Sequence, residues 1–151
     1  MALRAVAPPS LRSWGVFGLS ANQTVGLAVD SPVRFDTVTS GTLELAGYAI
    51  LLPAGRVFRL MASTAFNFSA GDGTARTLWF HTAGGFAVGT GSRHIPGTSG
   101  VFMAEQPVSH AIVDTRTGAV PVQLRISQAT SASAVAAAFT FAEVMEIGLS
   151  G

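Results

Sequence analysis

The sequence contains no cysteine and no lysine, and charged residues fill only 11% of its 151 positions. Without cysteine there is no disulfide, no thiolate nucleophile and no cysteine metal site. The nine cations are all arginines, scattered from Arg4 to Arg125, and eight acids nearly balance them to a formal net charge of +1. Phosphate binding needs clustered cations, because affinity scales with the number of phosphates neutralised, so this balance argues against nucleic acid as the main partner. The charged fraction is less than half of the roughly 25% usual in soluble domains. A surface so poor in charge exposes neutral, partly apolar faces, and such faces mark contact with partners. Long hydrophobic runs are missing too. The longest, at 48–52 and 135–142, fall far short of the ~18 residues of a membrane helix, so the chain reads as soluble with no membrane partner. No sustained apolar segment follows Arg4 as in a secretory signal, and Pro8-Pro9 interrupts the helix that a transit peptide would need.

What is present is β pattern. The length suits one domain, large enough to bury roughly 70% of its unfolded surface. Residues 1–13 read as an extended arm, since Pro8-Pro9 favours polyproline geometry and Ser10, Arg12 and Ser13 carry no amphipathic period. Strands are expected at 14–19 and 25–29. Val33 and Phe35 then alternate with Arg34 and Asp36, and Leu43 and Leu45 with Thr42 and Glu44. A change of phase at Gly47 suggests a β-bulge. The clearest strand is expected over 56–69, with Phe58, Leu60, Ala62, Phe66 and Phe68 on one face. Asp72-Gly73 is a favoured hairpin pair and predicts residues 76–82 as its partner strand. The glycine-rich 83–100 region reads as mostly loop, with at most a short strand at 86–88. Strand character resumes at 101–103 and 108–114, and Val120, Val122, Leu124 and Ile126 alternate strictly after Thr117-Gly118. Pro121 has no amide hydrogen to give a ladder, so its amide position belongs at an edge or bulge. The alanines of 131–147 favour a helix, but the alternation of Phe139-Thr140-Phe141 and the β-branched Val135 and Ile147 favour strands. Eight to ten short strands with glycine turns describe a sandwich, jelly roll or barrel.

The residues that carry chemistry form no constellation. Of His81, His94 and His110, only His110 has an acid near it in sequence, Asp114. On a strand those two lie about 13 Å apart, too far to share a metal without a third element. Ser109 and His110 are neighbours on a strand and point to opposite faces, so they cannot act as nucleophile and base, and no Gly-x-Ser-x-Gly elbow occurs. Gly84-Gly85 with Gly89 and Gly91 lacks the Gly-Lys-Ser/Thr of a phosphate loop. No catalytic, cofactor-binding or metal residue is assigned. Tyr48, Trp79 and Trp14 would suit stacking on a sugar if exposed, and core or interface packing if not.

At Leu51-Leu52-Pro53-Ala54-Gly55-Arg56-Val57-Phe58-Arg59-Leu60 the sequence resembles the hydrophobic, Pro-x-Gly, aromatic element that precedes the long strand of C1q/TNF-like jelly rolls. Segments 122–126 and 139–144 stand where that family has its last two core strands, and the likeness spans residues 33–147. Within the family the chain is most similar to small phage head proteins, the capsid decoration or cement proteins and head fibres. The resemblance implies an all-β jelly-roll β-sandwich over 14–151 behind an extended N-terminal arm. It also implies a homotrimer on a symmetry axis that binds a major capsid protein on the outer surface of a virion, with no enzyme activity and no cofactor. The candidate anchoring residues are then Arg4, Pro8, Pro9 and Arg12. Two alternatives remain: a receptor- or carbohydrate-binding fibre head with the 83–100 loops at its tip, and a small hydrolase or isomerase using His110 or His94.

Overall fold

A computed structural model describes residues 12–69, 73–94 and 108–149. The strands are β1 (Trp14–Gly18), β2 (Thr37–Gly41), β3 (Glu44–Ala46), β4 (Ala49–Leu52), β5 (Arg56–Ser63), β6 (Phe66–Phe68) and β7 (Thr74–His81) in the first half. They continue as β8 (Phe86–Ala87), β9 (Gly89–Thr90), β10 (Ser92–His94), β11 (Val108–Asp114), β12 (Val120–Thr130), β13 (Ala132–Val135) and β14 (Phe141–Leu149), with one 3-10 turn at Ala137–Phe139. Sheet 1 has the order β2-β1-β14-β5-β11-β9, sheet 2 the order β10-β7-β12-β4-β3 with β8 beside β7, and β13 pairs with β6 apart from both. Every named pair is antiparallel. Strands far apart in sequence are neighbours in space, the arrangement of a jelly-roll sandwich.

The expected alternation sets the two inner faces. Val120, Val122, Leu124 and Ile126 are buried from β12, Phe58, Leu60 and Ala62 from β5, and Ala142 and Val144 from β14, closing on Trp79, Phe17, Phe35, Ile50 and Leu52. Each large apolar side chain buried in this way contributes about 1.5–3 kcal/mol. One polar staple crosses the core. Ser109 on β11 in sheet 1 and Thr77 on β7 in sheet 2 bring their hydroxyl oxygens within 2.8 Å, and Trp79 Nε1 donates to the Ser109 carbonyl at 3.2 Å. Pro121 is tolerated because the β12–β7 ladder starts at Val122, and its carbonyl takes the Thr82 amide beyond the end of β7.

Several local expectations are corrected. Residues 25–29 form no strand: the chain turns at Asp30, which has φ +66°, and the Ser31 amide donates to the Ala28 carbonyl. Val33 and Phe35 are buried as expected, but in an irregular segment that bonds β12 through Asp30, Ser31 and Val33 and bridges it at Pro32 opposite Arg125. Gly47 is no bulge. Gly47 and Tyr48 both have positive φ and make a two-residue turn between β3 and β4, with Ala46 opposite Ala49. The strand over 56–69 breaks at Thr64-Ala65, where the Thr140 hydroxyl accepts the Ala65 amide and the Ala65 carbonyl takes the Ala136 amide, sending β6 to pair with β13. Nor does 76–82 return beside it, since β7 crosses to the opposite sheet and pairs with β12. The 83–94 stretch holds three short strands, which places His94 on β10 rather than in a loop. Over 131–147 the expectation of strand rather than helix holds: the alanines resolve into β13, the 3-10 turn and β14, with no α-helix among the described residues. Residues 70–72 and 101–103 lie outside the described residues.

Candidate assembly face

In sheet 1 every second residue points away from the core, and the register aligns these residues in rows. Gly18, Phe141, Ser63 and Val108 form one row, Val16, Glu143, Met61 and His110 the next, and Trp14, Met145, Arg59 and Ile112 a third. Strands in register put side chains of one row about 5 Å apart, so they make one continuous surface. Ile112 is 58% exposed, Phe141 42%, Val108 40% and Trp14 39%, and Ile147 at the end of β14 adds 43%. The few polar groups there, Arg59, Glu143 and His110, form no ion pair with one another. The outer face of sheet 2 differs. Gln123, Arg125 and Ser127 of β12 and Arg76 of β7 line it beside Leu51 of β4, which is 38% exposed, and the Arg125 guanidinium covers the Phe80 ring at 4.1 Å. The exposed apolar rows make the outer face of sheet 1 the candidate contact surface.

Ser13, just before β1, is held at one end of this sheet. The Ser13 amide donates to Glu146 Oε2 at 2.9 Å, the Glu146 amide donates to the Ser13 carbonyl at 2.8 Å, and Arg56 Nη1 holds Glu146 Oε1 at 2.8 Å. Glu146 is buried because β14 alternates, and Ala142, Val144 and Glu146 all face inward. Burial pushes its carboxyl up, but the Ser13 amide and the Arg56 guanidinium favour the charged form and hold it below the ordinary glutamate value. A depressed carboxyl contributes stability that is present above the unfolded-state value and is lost as pH falls through the folded one. Glu146→Gln should therefore cost about 1–3 kcal/mol at neutral pH and flatten the loss of stability on acidification. Denaturant melts at a series of pH values check this, and equal slopes in the two proteins would refute it.

Of the candidate anchoring residues, Arg12 is exposed just before the clamp, while Arg4, Pro8 and Pro9 lie outside the described residues. The residues weighed for chemistry are not brought together. Ser109 is buried against Thr77, His110 and Asp114 face outward from the same strand, and the Asp114 carboxylate is held by Arg116. His81 Nδ1 accepts the Gly84 amide at 3.0 Å, and its ring packs on Phe86. Among the described residues no three His, Asp or Glu side chains cluster as metal ligands, and no helix is long and apolar enough to cross a membrane. Trp79 is core, whereas Trp14 sits on the sheet 1 face and Tyr48 at an exposed turn. The outer rows of sheet 1 and the buried Glu146 escaped the sequence reading. The even-numbered run 142, 144, 146 is the one signal that could have placed Glu146 inside.

No protein-family model matches the chain, and no curated protein matches it in sequence. In structure it is similar to murine APRIL at 10% identity and TM-score 0.64, over 90% of this chain and 99% of that one. It is similar also to Eiger TNF from S. frugiperda at 11% identity and TM-score 0.67, over 93% and 95%. The globular domain of zebrafish complement 1qA gives 11% identity and TM-score 0.60, over 91% and 98%. At such identities the likeness carries the fold alone, and that fold is the TNF/C1q-like jelly roll.

Proposed function

We propose that the chain is a structural, non-enzymatic assembly protein: a homotrimer that decorates the outside of a virus capsid and stiffens it by bridging the major capsid protein subunits. The observation that carries the reading is the apolar outer face of sheet 1 with the N-terminal segment held at one end of that sheet by the Ser13–Glu146–Arg56 clamp. Six strands at about 4.8 Å spacing and 20–25 Å of strand length give that face an area on the order of 500 Å2, approaching the ~800 Å2 per partner of a stable interface. A TNF/C1q-like fold, in which trimers are usual, favours threefold symmetry, and a low-charge surface suits burial between copies.

The arm supplies the second half of the mechanism. A ligand that binds only the assembled lattice stabilises that lattice by mass action. Three arms on one trimer raise effective concentration, so no single contact need be strong. Arg4, Pro8, Pro9 and Arg12 are the proposed anchors, and the capsid surface the proposed location. Removal of residues 1–12, which spares the Ser13–Glu146–Arg56 clamp, should leave a trimer of unchanged fold that no longer co-sediments with capsid shells. Binding at the parent's occupancy would overturn the anchoring role, and a monomeric parent in native mass spectrometry would overturn the trimer.

A further inference from the structure

Beside the β3–β4 turn lies a pocket of about 280 Å3, and none of its lining residues belongs to the outer face of sheet 1. That volume falls near the lower limit for small-molecule sites, room for one ring-sized unit. Its polar walls are fixed before any ligand arrives. Buried Gln23 donates through its side-chain amide to the Gly26 and Pro32 carbonyls and accepts the Arg34 amide, which locks the loop, and Asn22 accepts the Ala137 amide. Asp36 accepts the Ser20 amide and hydroxyl, and these bonds, the hydroxyl's first, hold its carboxyl below the ordinary aspartate value against the opposing effect of burial.

Two groups are left over. The Arg34 guanidinium lies against Gly26, where a β-carbon would sit 2.6 Å from Nη2, and forms no ion pair among the described residues. Its Cζ stands 5.9 Å from the centre of the Tyr48 ring. Tyr48 itself is 39% exposed and held at φ +65°, a conformation that disfavours a bulky side chain. Core packing does not explain a tyrosine at that place, and retained strain of this kind points to function.

We propose that this pocket binds a carbohydrate, one pyranose unit whose C–H face rests on the Tyr48 ring and whose hydroxyls pair with Arg34 and Asp36. Arg34 can only donate and ionised Asp36 can only accept, and neighbouring sugar hydroxyls do both. A bare anion would satisfy Arg34 but be repelled by Asp36, and an apolar peptide would leave both charges unpaired. The site is independent of the assembly face, and its test does not depend on oligomeric state.

Saturation-transfer NMR on the full chain, with the methyl glycosides of glucose, mannose, galactose and N-acetylglucosamine, tests the assignment. These four sample equatorial and axial hydroxyls at C2 and C4. Transfer to the ring C–H protons of at least one is expected. Binding should weaken by about ten-fold or more in Arg34→Ala and in Tyr48→Asn, the loss typical of removing a charged hydrogen-bond partner or a stacking surface. Asparagine tolerates the left-handed backbone at position 48, so that variant should melt no earlier than the parent. Transfer to none of the four glycosides, transfer that persists in both variants, or transfer only to acetate added in parallel would overturn the proposal.

Discussion

Replacing Ile112 and Phe141 together by aspartate is expected to convert the proposed trimer into a folded monomer. Both side chains lie on the outer face of sheet 1, on β11 and β14, and both are substantially exposed in the single chain. In a monomer such exposed changes usually alter stability by no more than about 0.5 kcal/mol. At an interface each aspartate forfeits the ~1.5–3 kcal/mol of apolar burial and leaves a charge without a partner, which costs about 3–5 kcal/mol where the site is dry. Repeated in every copy, these losses exceed what a contact of this size leaves over as net affinity. Light scattering should give the mass of one chain, with a circular dichroism spectrum unchanged from the parent. A trimer that survives both substitutions would move the interface elsewhere on the molecule.

The strands with strict alternation were legible one at a time. Val120 to Ile126 and Phe58 to Ala62 face inward because a pleated backbone gives each strand two sides, and that needs no partner to be known. Pairing was another matter. Asp72-Gly73 suggested a local hairpin, but β7 finds its neighbour in β12, roughly 45 residues later, because Trp79 and Leu124 must both reach the inner face of sheet 2. Gly47 marked a real event whose kind depended on Tyr48 adopting positive φ, and the rarity of that conformation for a tyrosine hid the turn.

The proposed assembly face was hidden for the same physical reason. Trp14, Met145, Arg59 and Ile112 occupy one row but come from four strands whose order follows from the global topology. Composition gave the sum, a surface poor in charge, without its location. The pocket at Tyr48 is the extreme case. Arg34, Asp36 and Tyr48 are close in sequence, yet nothing in their spacing tells that Gln23 folds the loop so as to bring them together.

Trp79→Ala is expected to cost about 3–5 kcal/mol, the loss usual when a large aromatic is cut from a packed core, out of a total stability of about 5–15 kcal/mol. Trp79 is completely buried between the sheets, and the cavity it would leave is walled by strands of both, so it cannot close without shifting a ladder. The substitution also removes the Nε1 donor to the Ser109 carbonyl and so weakens the staple between β7 and β11. Trp79→Phe separates the two effects, because it keeps most of the volume and loses the donor, and should cost less. The measurement belongs on the monomeric Ile112→Asp, Phe141→Asp background, since the stability of an assembly varies with its concentration. Trp14→Ala, on the exposed face of sheet 1, is the control and should change the denaturation midpoint little. If the two tryptophans cost the same there, the sheets are not held apart by a packed core, and the two-layer account of the molecule fails.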